Sequence, residues 1–415
     1  MRTAASAGPA GELVAARIEQ RAEASRAFFE REAERLAELC HAMAERFARG
    51  GRLLALGASP AARSDVRHVT VEFVHPVIVG KRALPAVGLS REGGPLPAQA
   101  ELLAEADDIV IAFGADEQGG EEVRDAVAIA RARGCLTLAF APSGAEHELV
   151  PEEGDPFVRQ ELIETAYHVL WELVHVFFEH RGLLAGRDEQ RSHDAGRSSF
   201  LYPFLSESEA DLGAVLADVR SSVRAKAEEA EEVRARTLAE GAEAIAAAAR
   251  ELRERFERGG RLLALGNGGS ATDAMDLVAD LRHPPAGSGW ASRAALDLGE
   301  DTAILTAIAN DVGVAEVFQR QVIAHGREGD ALIAFSTRGG SANVIEALAE
   351  ARRRGLATIA MVGYEGGRIS SEGLADHLVV SGSRHIPRIQ EAQASAYHVL
   401  RELVELAPAG GGARG

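Results

Sequence analysis

The sequence predicts an α/β protein built from two homologous halves, each a doubly wound parallel sheet flanked by helices and led by a long N-terminal helix. Three observations carry this. Residues 44–57 return almost letter for letter as the run through Glu254-Arg255-Phe256-Glu257-Arg258-Gly259-Gly260-Arg261 to Gly266, and Ala166-Tyr167-His168-Val169-Leu170 returns as Ala396-Tyr397-His398-Val399-Leu400. Such self-similarity marks a duplicated unit. Short apolar runs alternate with helical patterns in both halves, the signature of parallel strands covered on both faces. Finally, the apolar run 261–265 feeds directly into Gly266-Asn267-Gly268-Gly269-Ser270 and then a helix-like run, a strand-to-helix turn suited to such a sheet.

Along the chain, residues 11–49 are rich in Ala, Glu and Arg with helical periodicity and read as one long helix. The runs 53–56, 109–113 and 136–140 read as first-half strands, with a helix ending at Gly134 between the last two. Residues 181–206 mix Gly, Ser and both charges without periodicity and read as a linker. A second long helical region covers 207–258, with Gly241 as its candidate break point. The run 331–335 then matches 109–113, and 357–361 follows a helix ending near Gly355. Residues 408–415 are Gly-rich and read as a flexible tail. The expected domains are therefore 1–180 and 207–407, joined by 181–206.

Composition narrows the function classes. Of 415 residues, 45 are Lys or Arg and 63 are Asp or Glu, a net charge of −18. That balance argues against nucleic acid or an anionic membrane as main partner. Cys40 and Cys135 stand far apart and suggest neither a disulfide framework nor a cysteine metal site, consistent with a reducing compartment. No N-terminal stretch has a signal-peptide pattern, and no apolar segment approaches the ~20 residues that span a bilayer, so the expected location is cytoplasmic.

Two stretches carry chemistry. In 266–280 the glycines allow close backbone approach, and the following helix offers unpaired N–H groups and a favourable dipole, together a cradle for phosphate. Taken alone, the same turn also serves as a tight structural corner. A second cradle is expected at Ser336-Thr337-Arg338-Gly339-Gly340-Ser341, where hydroxyls and turn N–H groups converge; a Ser-rich helix cap is the plainer account. Two such loops at adjacent strand ends favour a ligand site, because open parallel sheets bind ligands at their carboxyl ends.

These stretches, with 301–313 and Arg388-Ile389-Gln390-Glu391, resemble successive motifs of the phosphoheptose isomerases, proteins of the sugar isomerase (SIS) domain class. The resemblance spans nearly all of 207–407 and implies two SIS domains in tandem, acting on a phosphosugar such as sedoheptulose 7-phosphate. It also implies that Asn267, Gly268, Gly269, Ser270, Ser336, Thr337 and Ser341 line the substrate site, with Asp301, Asn310 and Gln390 as further contacts. The family's metal-assisted proton transfer uses a His and a Glu four apart on the helix after the phosphate loop, and a Gln and a His eight apart near the C-terminus. The second half offers Asp276, Asp280, Gln390 and His398 at those places, so two of the four residue types depart from the pattern.

The first half shows the reverse. Aligned through His75-Pro76 and His283-Pro284, it presents His68, Glu72, Gln160 and His168 in the family's metal and catalytic positions. Its loops are degraded: Pro60 removes a donor from the first turn, and Asp116-Glu117 would repel phosphate in the second. The resemblance thus implies an aldose–ketose isomerase with Glu72 as base, His168 as its acid or metal partner, and Zn²⁺ on His68, Glu72, Gln160 and His168. His398 with Asp280 is the reserve pair. Complementary halves suggest one composite site, and a homodimer of tandem chains would reproduce the four domains of a family tetramer. Two other classes compete: a non-catalytic phosphosugar-binding regulator or initiator-binding scaffold, and a metal-dependent hydrolase or lyase.

Overall fold

The computed structural model describes residues 9–78, 81–179 and 211–406; the expected linker 181–206 and tail 408–415 lie outside the described residues. The first half begins with helix α1 (Pro9–Ala48), as its periodicity requires, followed by β1 (Leu53–Gly57), α2 (Pro60–Val74), β2 (Ala86–Leu89), α3 (Leu96–Leu103), β3 (Ile109–Phe113), α4 (Gly120–Ala132), β4 (Leu136–Ala139), the short β5 (His147–Glu148) and α5 (Pro156–Glu179). The second half runs α6 (Leu212–Glu257), β6 (Leu262–Leu265), α7 (Gly269–Arg282), β7 (Ala295–Asp297), α8 (Thr302–Asp311), α9 (Gln319–His325), β8 (Ala331–Ser336), α10 (Ala342–Arg353), β9 (Ala357–Gly363), α11 (Gly367–Ser371), β10 (His377–Ser381) and α12 (Ile386–Glu405). Helix α6 passes unbroken through Gly241. A lone helical glycine costs about 1 kcal/mol, and Leu238, Ile245, Ala248 and Ala249 bury enough apolar surface on either side to outweigh it.

Both sheets have five strands joined only by parallel pairs, ordered β2-β1-β3-β4-β5 and β10-β9-β8-β6-β7. Read from the corresponding ends these are one topology, so the duplication seen in the letters is a duplication of the fold. The strand order reverses between β1 and β3, and again between β6 and β8, making those gaps the switch points where open α/β sheets hold ligands. Side chains on β6 and β8 alternate faces: Leu262, Ala264, Ala331 and Ile333 pack with α6, α7 and α12, while Leu263, Leu265, Leu332 and Ala334 pack with α9 and α10. Burial on both faces is why these strands read as unbroken apolar runs.

The best-preserved repeat, Gly-Gly-Arg, serves the opposite strand ends. A Cβ on Gly51 would fall 2.0 Å from the Asp107 carbonyl oxygen, and one on Gly260 would fall 2.3 Å from that of Gly329. Arg52 then forks onto Asp108 (Nη2–Oδ2 2.7 Å), and Arg261 meets Asp330 through Nη2 (2.9 Å) and its backbone N–H (2.9 Å). The motif is preserved because it clamps strand starts in both sheets.

The described residues form two compact units that each take segments from both halves. One holds the residues up to Glu23, Pro156–Glu161 and those from Glu229 onward, with the second sheet; the other holds Ala24–Asp155 and Leu162–Glu228, with the first. Cys40 and Cys135 are buried free thiols. Among the described residues no helix is long and apolar enough to cross a membrane.

Candidate active site

In the unit carrying the second sheet, β6 ends in a turn whose Gly268 has φ 60°, and α7 starts at the next residue. The Ser270 N–H closes onto the Asn267 carbonyl at 3.1 Å. The second loop leaves β8 at Ser336, whose hydroxyl accepts from the Gly339 N–H at 3.1 Å, and Ser341 stands at the N-cap of α10 without using its side chain as a cap. Asn267 and Asn343 exchange amide hydrogen bonds at 3.0 and 2.8 Å, tying the two loops together at the switch point. Asn343 was not visible as a site residue in the sequence, where it reads as an ordinary first-turn residue.

Asp301 and Asn310 have local work. Asp301 caps α8, accepting from the N–H groups of Ala303 (2.9 Å) and Ile304 (3.0 Å), and Asn310 donates to Asp311 at 2.7 Å. Both are exposed.

Behind the loops, Asp276 and Asp280 project from α7 and His398 from α12, all buried. Two acids four apart on a helix ordinarily form a solvated face, but these two are buried. Asp276 accepts from Tyr397 Oη (2.7 Å), from the Gln160 amide (2.8 Å) and faces His398 Nε2 (3.3 Å). Asp280 Oδ2 lies 3.8 Å from the same nitrogen. Nδ1 of His398 meets Glu161 at 2.8 Å, and Glu161 is in turn gripped by Arg21 through Nε–Oε2 (2.8 Å) and Nη2–Oε1 (2.7 Å). Burial opposes charge on this histidine, but Asp276, Glu161 and Asp280 outweigh it and push its pKa up to about 10. Burial likewise opposes charge on Glu161, yet Arg21, His398 and Arg234 hold it far below the usual carboxylate range. Gln390 is buried on the same helix as His398.

The other unit holds the counterpart set. His68 and Glu72 come from α2, and Glu164 and His168 from α5; all four are buried. The Nε2 atoms of His68 and His168 lie 3.4 Å apart, His68 Nε2 lies 4.0 Å from Glu72 Oε1, and His68 Nδ1 lies 3.8 Å from Glu164 Oε1. One ligand atom each from His68, Glu164 and His168 fall within 4.8 Å of one another. Gln160, expected as the fourth member, belongs instead to the unit carrying the second sheet, where it holds Asp276. The sequence signal for Glu164 was its place one turn before His168, on the same helix face. Its counterpart in the other repeat is Ala394, so the duplication does not single it out.

Two imidazoles with carboxylates suit a borderline divalent ion. The Asp276, Asp280 and His398 atoms are equally close, but a ring flanked by carboxylates at both Nδ1 and Nε2 favours a hydrogen on each nitrogen, so this group is built as an ion-pair network and its imidazole offers no lone pair to a metal. The first-half loop has closed on itself: Ser59 caps α2 by accepting from Ala62 N–H at 3.0 Å, and its hydroxyl is also hydrogen-bonded to the Glu117 carboxylate.

Paired glycine- and serine-lined loops at the switch point of a parallel sheet define a SIS-domain protein, and the SIS domain model matches residues 227–363. The phosphoheptose isomerase of Roseiflexus sp. strain RS-1 is 42% identical over 184 residues, 42% of this chain and 87% of that protein; that of Thermodesulfovibrio yellowstonii is 37% identical over 193 residues, 45% and 92%. The chain belongs to the phosphoheptose isomerase family. The tagatose-6-phosphate ketose/aldose isomerase of Escherichia coli shares the fold across 98% of this chain and 95% of its own, with a TM-score of 0.53 and 14% identity.

The His398 network has a consequence for pH. A histidine whose pKa is raised on folding adds stability that is complete below its unfolded value of about 6.5 and fades as the folded value is approached. The protein should therefore lose stability as pH rises from about 6.5 toward 10. Denaturant melts across this range should show the decline in wild type and a flatter profile in His398→Gln. Equal slopes would contradict it.

Proposed function

We propose that the chain is a phosphosugar aldose–ketose isomerase, with sedoheptulose 7-phosphate as the first substrate to try. The observation that carries this reading is the pair of loops tied by Asn267 and Asn343 at the β6/β8 switch point, in the same unit as the buried Asp280 of α7 and His398 of α12. Ser270, Ser336, Thr337, Ser341 and the N–H groups of the turn, with Gly268 and Gly269 leaving room for approach, hold the phosphate. Asn267 contacts the sugar, with Asp301, Asn310 and Gln390 as further candidates.

In the open-chain ketose, Asp280 takes a proton from C1 while His398 gives its Nε2 proton to the C2 carbonyl oxygen, forming an enediol. Return of a proton to C2 and loss of the O1 proton complete the aldose. The site is composite in sequence, since Gln160 and Glu161 come from the first half.

The first-half set also fits the Zn²⁺ that the family implies, held by His68, His168 and the carboxylates of Glu72 and Glu164; bound there, the ion would polarise a carbonyl as a Lewis acid. In the absence of the ion, Glu72 and His168 offer a second acid–base pair. We place the protein in the cytoplasm, as a homodimer of tandem chains with no nucleic acid or membrane partner, in line with its net charge of −18.

Turnover of sedoheptulose 7-phosphate by wild type, Asp280→Asn and Glu72→Gln tests the assignment. Asp280→Asn should lose about 10²–10⁴-fold in kcat, the usual worth of a positioned base. A larger loss in Glu72→Gln than in Asp280→Asn would move the chemistry to the first-half pair. Tight phosphosugar binding by a wild type without turnover would establish the regulator reading instead, which the Asp276 and Asp280 departures favour.

A further inference from the structure

The repeat that lost its phosphate loops still carries Arg159-Gln160-Glu161, matching Arg388 to Glu391 only in the Gln-Glu pair, and both of those first-half side chains reach the second-half centre. Resting on the isomerase reading above, we infer that Glu161 is a positioning residue for His398, so that the first half supplies the carboxylate that sets the charge and direction of the second half's acid.

The geometry is tightly constrained. Glu161 Oε1 sits 2.8 Å from Nδ1 of His398. The carboxylate cannot turn away, because the Arg21 fork engages both of its oxygens and Ser395 donates its hydroxyl to Oε2. Arg234 approaches the same oxygen at 3.5 Å. Phe157, four residues before Glu161, stacks on the imidazole with centroids 4.5 Å apart and planes 13° apart, which fixes the plane of the ring. With Nδ1 pinned and the plane set, Nε2 faces Asp276 and Asp280. A carboxylate on Nδ1 demands a hydrogen there and favours the ring that carries one on each nitrogen, so a proton is available at Nε2. An amide at position 161 would keep the shape and lose that preference.

Gln160 does the matching job on the other side. Its amide holds Asp276 at 2.8 Å, so adjacent residues of α5 orient both the imidazole and the carboxylate it faces. Retention of this pair in a half without working loops follows from its use by the centre of the other half.

The test is carried out on the full-length protein with histidine ring nitrogens labelled by ¹⁵N, His398→Gln serving to assign the signal. In wild type the His398 ring should show hydrogens on both nitrogens near neutral pH. Glu161→Gln should convert it to a neutral single tautomer and lower kcat by about 100-fold or more, while KM for sedoheptulose 7-phosphate changes by less than about threefold. Glu161→Asp, which keeps the charge, should restore part of the ring signature. If Glu161→Gln does not fold, Arg21→Lys, which removes the fork but leaves a cation, should shift the same ring signals and lower kcat by roughly tenfold. An unchanged His398 signature in the folded variant overturns the assignment. Because that signature is read on the resting protein, a wild type without turnover would defeat the isomerase reading while leaving the role of Glu161 decided.

Discussion

Arg21→Met should destabilise the protein by about 3–5 kcal/mol, the cost of stripping one partner from a buried ion pair. Arg21 is 1% exposed and grips Glu161, which is equally buried, through two bonds of 2.8 and 2.7 Å. Removing it leaves the carboxylate facing Arg234 at 3.5 Å and the shared His398, in surroundings that cannot re-solvate it. Well-packed apolar replacement of both partners costs far less than removal of one. The double variant Arg21→Met/Glu161→Leu should therefore recover part of the loss, and a double-mutant cycle in denaturant should report a coupling of about 1–3 kcal/mol. A single-variant loss below about 1 kcal/mol would show the pair to be far better solvated than its burial implies.

Gly266→Ala should abolish measurable phosphosugar binding. A Cβ there would lie 2.1 Å from the Ser270 carbonyl oxygen, 2.4 Å from its carbon and 2.9 Å from the Ala271 nitrogen. All three are backbone atoms of the first turn of α7, so no side chain can swing aside and the turn must open. The N–H groups that would cradle phosphate then lose their shared direction. We expect a rise of 100-fold or more in the dissociation constant of sedoheptulose 7-phosphate, worth about 2.7 kcal/mol or more, alongside a stability loss of roughly 2–4 kcal/mol. Gly57→Ala is the internal control. Its Cβ would meet the Ala62 side chain at 2.8 Å, in the half whose loop is already closed by Ser59 and Glu117. It should cost stability without touching phosphosugar affinity. Calorimetric titration of both variants separates the cases, and near-wild-type affinity in Gly266→Ala would mean the phosphate sits elsewhere.

The two predictions rest on features of very different legibility. The turn at Gly266 is local: a strand, three residues and a helix lie in unbroken order, and the close contact is made four residues away. The Gln160, Glu161 and Glu164 side chains share one helix, yet only spatial partners decide what each does. Gln160 looked like a ligand for its own half because its spacing from His168 matches that of Gln390 from His398. Its partner, Asp276, is 116 residues away. Glu164 was hidden by the same comparison, since the other copy has Ala394 there.

By itself the sequence determined the duplication, the parallel sheets with three central strands of each, the two glycine- and serine-lined loops and the family. Each of these depends on short-range pattern: apolar period, turn chemistry and motif order survive in one dimension. Only the tertiary structure decided which carboxylate meets which imidazole. Glu161 and His398 are 237 residues apart, and no periodicity links them; the contact exists because segments of both halves fold into one compact unit. Burial there makes an unpaired charge costly, and so the carboxylates, the imidazole and Arg21 are bound into one network that no stretch of the chain displays alone.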